Sequence, residues 1–115
     1  DLAGGPLPGD RAPDADLADG RRLFAATRGT GYTLLGIPGT AGEPERLAAI
    51  LDELQRRFAP VLASHLLPAG ADLARRYGSG SADRLYLIRP DGYVACRAAL
   101  ENAPAIASHL GRWLA

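Results

Sequence analysis

A chain of 115 residues, 47% hydrophobic and 23% charged, suits one compact domain with one core. A formal net charge of zero argues against a sequence-independent nucleic-acid binder and against a polybasic membrane anchor. No apolar run reaches the roughly eighteen residues that a membrane span needs.

Other absences add expectations. The opening, Asp1 to Asp19, has neither the basic head nor the apolar stretch of a signal peptide. Cys96 is the single cysteine, so an internal disulfide is excluded and a reduced, cytoplasmic setting is the default expectation. The sequence lacks Met, which suggests a processed or cut piece. It also lacks Lys, all 13 basic residues being Arg, which with the many Ala and Gly suits a GC-rich bacterial genome.

In chain order, Gly4, Gly5, Pro6, Pro8, Gly9 and Pro13 break any regular element, so residues 1–20 read as an extended lead-in. Arg22 to Thr27 reads as a short strand ended by Arg28-Gly29. Tyr32 to Ile37 is a nearly unbroken apolar run bounded by Gly31 and Pro38-Gly39, the pattern of a strand covered on both faces. Glu43, Pro44 and Glu45 then open a helix. Its apolar stripe is Leu47, Ile50, Leu51, Leu54 and Phe58, with Asp52–Arg56 and Glu53–Arg57 paired four apart on the wet side.

Pro60 to Leu67 reads as a second buried strand, making a right-handed parallel crossover. Ala71 to Tyr77 is a short helix stopped by Gly78, and Leu85 to Ile88 a third strand. Pro90-Asp91-Gly92 turns the chain into a returning strand, Tyr93 to Ala98. Asn102 is placed to cap a last helix with Pro104 in its first turn and Ile106, Leu110, Trp113 and Leu114 on its apolar side. A parallel pair followed by an antiparallel hairpin, with helices on both faces, is a thioredoxin-like layout. The reading is therefore α/β, a central mixed β-sheet flanked by helices, with residues 1–28 as lead-in and 29–115 as the domain.

Several stretches carry a family resemblance. Gly9-Asp10-Arg11-Ala12-Pro13-Asp14-Ala15-Asp16-Leu17, then Asp19-Gly20, resembles the opening of peroxiredoxins and of the C-terminal domain of flavin-dependent aromatic-ring hydroxylases. Arg21 to Phe24 followed by Gly31 to Leu35 resembles the same hydroxylases, and Leu73 to Gly78 resembles the helix end before the hairpin in thioredoxin-like proteins. Leu85-Tyr86-Leu87-Ile88-Arg89-Pro90-Asp91-Gly92-Tyr93-Val94-Ala95-Cys96-Arg97 is similar to the closing phrase of phenol, hydroxyphenylpropionate and polyketide hydroxylases, with Cys96 where tryptophan is frequent.

The resemblance implies a thioredoxin fold with a peroxiredoxin-like N-terminal extension. It implies a parent enzyme using FAD and NAD(P)H to put one oxygen atom on an aromatic ring. This domain would then be a non-catalytic structural or subunit-contact part of that parent. Its partners would be the N-terminal flavin-binding region and a second subunit of a homo-oligomer. The alternative is a stand-alone degenerate peroxiredoxin-like or thioredoxin-like binding module; a third reading is a thiol enzyme working through Cys96.

No catalytic, cofactor or metal residue is assigned in this chain. A thioredoxin-like enzyme needs a thiol at the start of its first helix, where the helix dipole favours thiolate. That place reads Gly39-Thr40-Ala41-Gly42-Glu43, without sulfur. The fold's cis-proline position falls on Asp83, so the cis bond is expected to be lost. Cys96 is expected to be a buried, inert thiol on the same face as Val94 and Ala98. His65 and His109 lack ligand spacing for zinc. Asp14, Asp16 and Asp19 lack the twelfth-position Glu of a calcium loop. Gly78-Ser79-Gly80-Ser81 lacks the Lys-Ser/Thr of a phosphate loop, and no G-x-G-x-x-G turn offers a flavin site.

Overall fold

Neighbouring residues of a strand point to opposite faces, and here both faces are covered. Leu34 and Leu35 are both buried, as are Leu85, Tyr86, Leu87 and Ile88. The computed structural model describes residues 4–27, 29–78 and 80–114, the last two without their side chains. Leu2 and the side chains of Trp113 and Leu114 lie outside the described residues.

Strands β1 (Tyr32–Ile37), β2 (Leu62–Leu66), β3 (Arg84–Ile88) and β4 (Val94–Ala99) form one sheet in the order β2-β1-β3-β4. β1 and β2 are parallel, joined across helix α2 (Pro44–Phe58), while β3 is antiparallel to both β1 and β4. On one face α2 and helix α4 (Pro104–Leu114) bury Leu47, Leu51, Leu54, Ile106 and Leu110 against Leu34, Leu85 and Leu87. On the other face lie helix α3 (Ala71–Tyr77), a short helix α1 (Leu23–Ala26) and the lead-in, with Ala12, Ala15, Leu17, Leu23, Leu73 and Tyr77 packed on Leu35, Tyr86 and Ile88. This is the mixed, helix-flanked sheet expected of a thioredoxin-like chain.

The hairpin turn follows its sequence signal. Gly92 takes a φ of 90°, open to glycine at no steric cost. Gly78, with a φ of 86°, ends α3 as expected.

Five readings need correction. Arg22 to Thr27 is not a strand: Leu23–Ala26 is helical, with Ala26 and Thr27 donating to the carbonyls of Arg22 and Leu23 at 3.0 Å. The reason is a cap from the lead-in, since the Asp14 carboxylate accepts the Phe24 and Ala15 N–H groups at 2.9 Å. β2 is an edge strand rather than a strand buried on both faces, and Leu66 is 46% exposed. Asn102 does not begin α4. It closes a 3-10 turn, Leu100–Asn102, and the Ala103 carbonyl accepts the first N–H, from Ile106 at 2.9 Å. Asp52 and Arg56 pair at 3.3 Å, but Arg57 lies over the Phe58 ring instead of pairing with Glu53. Finally, Cys96 does not share a face with Val94. A register shift pairs Ile88 with Val94 and Leu87 with Cys96, so the extra residue, Ala95, swaps faces as a bulge does. Val94 faces the lead-in, whereas Cys96 and Ala98 face α2 and α4.

Candidate functional site

Thiol chemistry in this architecture belongs where β1 ends and α2 begins. There the first N–H groups of a helix lack intrahelical partners and the dipole favours negative charge. Here a carboxylate from inside the protein fills that position. Asp83, 3% exposed, accepts the Gly39 N–H at 2.9 Å on one oxygen and the Glu43 N–H at 2.8 Å on the other. Its own carbonyl accepts Leu100 N–H at 3.0 Å, tying the start of β3 to the end of β4. Gly42 makes this approach possible, since a Cβ there would land on the Asp83 carboxylate.

The backbone seals the rest. Thr40 and Ala41 donate to the carbonyls of Gly80 and Ser81, both at 3.0 Å. Those carbonyls present acceptors to the loop, the reverse of a phosphate cradle; Ser79 lies outside the described residues. The cis peptide bond among the described residues is Ala59–Pro60, so the Ala82–Asp83 bond is trans. The sequence marks Asp83 only as the cis-proline position and gives no direct sign of its capping role. The available signal was Gly39 and Gly42, whose spacing leaves room for a side chain to reach the turn.

The arrangement caps the helix start with an internal carboxyl group and places no thiol there. It does not fit a flavin either. A dinucleotide pyrophosphate at the α2 N-terminus would meet the Asp83 carboxylate, and the adjoining hollow sets Glu43 and Glu101 against the single cation Arg46. No flavin step is therefore assigned to this chain.

The remaining candidates stay apart. Burial pushes the half-buried Cys96 thiol above its usual range, against weaker opposition from Arg112 and the Arg97 N–H. Burial, then Arg21, lowers His65; burial, then Arg112, lowers His109. Asp14, Asp16 and Asp19 are engaged by Arg22 at 3.1 and 2.7 Å and by Arg21 at 2.7 Å, so they brace the lead-in. Among the described residues no three His, Cys, Asp or Glu side chains gather as a metal site, and no helix is long and apolar enough to cross a membrane. Between α2 and α4 lies an open groove of about 610 Å³ floored by Ile50, Leu54, Ala103 and Ala107, with Arg46 and Glu53 on its rim.

The chain should neither reduce insulin nor turn over peroxide above a blank, and native Cys96 should react slowly with a thiol reagent. Turnover abolished by Cys96→Ser would overturn this.

Fold and site together define a thioredoxin-fold domain whose helix start carries a carboxylate in place of sulfur. The chain belongs to the aromatic-ring hydroxylase C-terminal family, whose model matches residues 5–115. It is 32% identical over 116 aligned positions to pentachlorophenol 4-monooxygenase of Sphingobium chlorophenolicum, covering 89% of this chain and 22% of that protein. The chain thus spans about a fifth of the curated relative. It also matches a structure of aklavinone-11 hydroxylase with FAD and aklavinone, at 28% identity and a TM-score of 0.59, over 87% of this chain and 20% of that one. A Chlorobium tepidum protein described as a putative thiol:disulfide interchange protein DsbE gives a TM-score of 0.68 at 18% identity, over 95% and 99% of the two chains. That last likeness shows the fold alone.

Proposed function

We propose that this domain is a non-catalytic structural part of a flavin-dependent aromatic-ring hydroxylase, docking on the parent's flavin region and contributing to its stability or subunit contacts. The observation that carries the reading is the sealed α2 N-terminus. Asp83 occupies the place where this fold would hold a reactive group, and family membership supports a parent hydroxylase. FAD and NAD(P)H would be bound by the parent outside these residues. The same reading puts the protein in the bacterial cytoplasm, a setting that suits one thiol without a disulfide partner. A folded body without its own chemistry can still rigidify a larger enzyme, since anything that binds only the native state stabilises it by mass action.

The test is to express the parent hydroxylase with and without this segment. Size-exclusion mass, melting temperature and substrate-dependent NAD(P)H oxidation are then compared. Truncation should lower the melting temperature or break the oligomer while leaving flavin reduction and hydroxylation in the surviving enzyme. Unchanged mass and melting temperature with a selective loss of hydroxylation would refute the structural reading and make the domain a direct contributor to catalysis.

A further inference from the structure

The two edges of the sheet are protected differently. The lead-in runs beside the start of β4: Gly9 donates to the Val94 carbonyl and Val94 to the Asp10 carbonyl, both at 2.8 Å. Beyond β2 no strand follows among the described residues. The usual deterrents to edge pairing are charged side chains and short, bulged or covered strands. The stretch from Pro60 to Pro68 carries no Asp, Glu, Lys or Arg, and Val61 and Leu66 are 41% and 46% exposed.

The backbone shows what takes their place. Val61 and Leu67 turn toward β1: the Val61 carbonyl accepts Tyr32 N–H at 2.8 Å, and Leu67 N–H donates to Gly36 at 2.9 Å. Hydrogen-bonding groups alternate between the two sides of a strand, so those of Leu62, Ser64 and Leu66 point outward. The middle donor, Ser64 N–H, is already taken. Gln55, on the helix that crosses above β2, holds it with its side-chain oxygen at 2.7 Å. The Ser64 hydroxyl lies 3.0 Å from the same oxygen and 3.0 Å from the Leu51 carbonyl, which fixes the pair.

We propose that Gln55 is a guard on the β2 edge, and that the strand it keeps out is β2 of a second copy of this chain. Antiparallel pairing about a two-fold axis through Ser64 sets Ser64 against its own equivalent and Leu62 against Leu66 of the copy. That pairing sets the exposed Leu66 of each copy beside Leu62 of the other, meets no charged residue between Pro60 and Pro68, and needs the Ser64 N–H that Gln55 holds.

Sedimentation velocity of the 115-residue chain at rising concentration tests it. Gln55→Ala should self-associate at least about tenfold more tightly than the wild type, the worth of about one hydrogen bond released for pairing. Gln55→Glu keeps an acceptor oxygen and should sediment as wild type. Adding Leu66→Lys to Gln55→Ala should return the wild-type behaviour, because it puts a charge on the edge. Amide exchange guards against a variant that merely misfolds: Ser64 N–H should be protected in the wild type. It should lose protection in dilute Gln55→Ala and regain it on association. Gln55→Ala sedimenting as wild type, association that Leu66→Lys leaves intact, or an unprotected Ser64 amide in the wild type would each overturn the proposal.

Discussion

Asp83→Ala should lower the unfolding free energy by about 3 kcal/mol, read as a fall in the urea midpoint at unchanged slope. The carboxylate is 3% exposed and holds two backbone N–H groups, those of Gly39 and Glu43. Hydrogen bonds to an ionised acceptor are roughly twice as strong as neutral ones. Truncation removes both and leaves the start of α2 without its cap. Asp83→Asn should fall between, at about 2 kcal/mol, since one oxygen remains while the new amide group faces an N–H donor. Gly42→Ala should also destabilise, because its Cβ contests the space that the carboxylate fills. An Asp83→Ala variant within about 0.5 kcal/mol of wild type, the ordinary scatter of surface changes, would mean that the carboxylate is a bystander.

The same residue marks how far the sequence could be read. The periodicity of Leu47, Ile50, Leu51, Leu54 and Phe58 required a helix, and α2 runs Pro44–Phe58. Tyr32–Ile37 appears as β1 with the bounds that Gly31 and Pro38 set. These signals are local, and hydrophobic burial enforces them. What the sequence withheld was long-range pairing. Asp83 meets Gly39 across 44 positions, Gln55 meets Ser64 only after the crossover folds, and Asp14 caps α1 from ten residues upstream. A short apolar run such as Leu62–Leu66 reads alike at an edge or in the centre, because strand order is a property of the whole sheet. The Cys96 face was lost to one unpaired residue, since a single-residue slip swaps every side chain beyond it.

Deleting residues 1–20 should abolish cooperative folding. Among the described residues the lead-in has no helix or strand of its own up to residue 20, yet Ala12, Ala15 and Leu17 are buried in the same core as Tyr77 and Tyr86, while Leu7 stays 54% exposed. Its backbone is held by Ala12 N–H on the Gly92 carbonyl at 2.9 Å and by the Tyr77 hydroxyl donating to the Pro13 carbonyl at 2.6 Å. Burial pushes the Tyr77 phenol well above its usual range, so the phenol keeps its proton to donate. Arg97 donates to the Gly4 carbonyl at 2.6 Å, and Tyr86 donates to the Tyr77 carbonyl at 2.8 Å. Removing this cover exposes two tyrosine rings and Leu73 along with losing the lead-in's own side chains. At roughly 25 cal/mol per Å² of apolar surface the loss is on the order of 5 kcal/mol, comparable to the whole stability of a small domain. A milder variant separates the clamp from the core. The Asp16 N–H, then Arg75, pulls the Asp72 carboxyl from an ordinary 3.8 down to about 2. A depressed carboxyl stabilises the fold above its unfolded value, and that contribution is lost as pH falls from about 4 through about 2. Asp72→Asn should therefore fold at neutral pH with a reduced melting temperature and a flatter response across that acid window. Far-UV circular dichroism of the truncated chain should show no sigmoidal melt. A truncated chain melting within a few degrees of the full one would show that the lead-in only decorates a body already complete at residue 21.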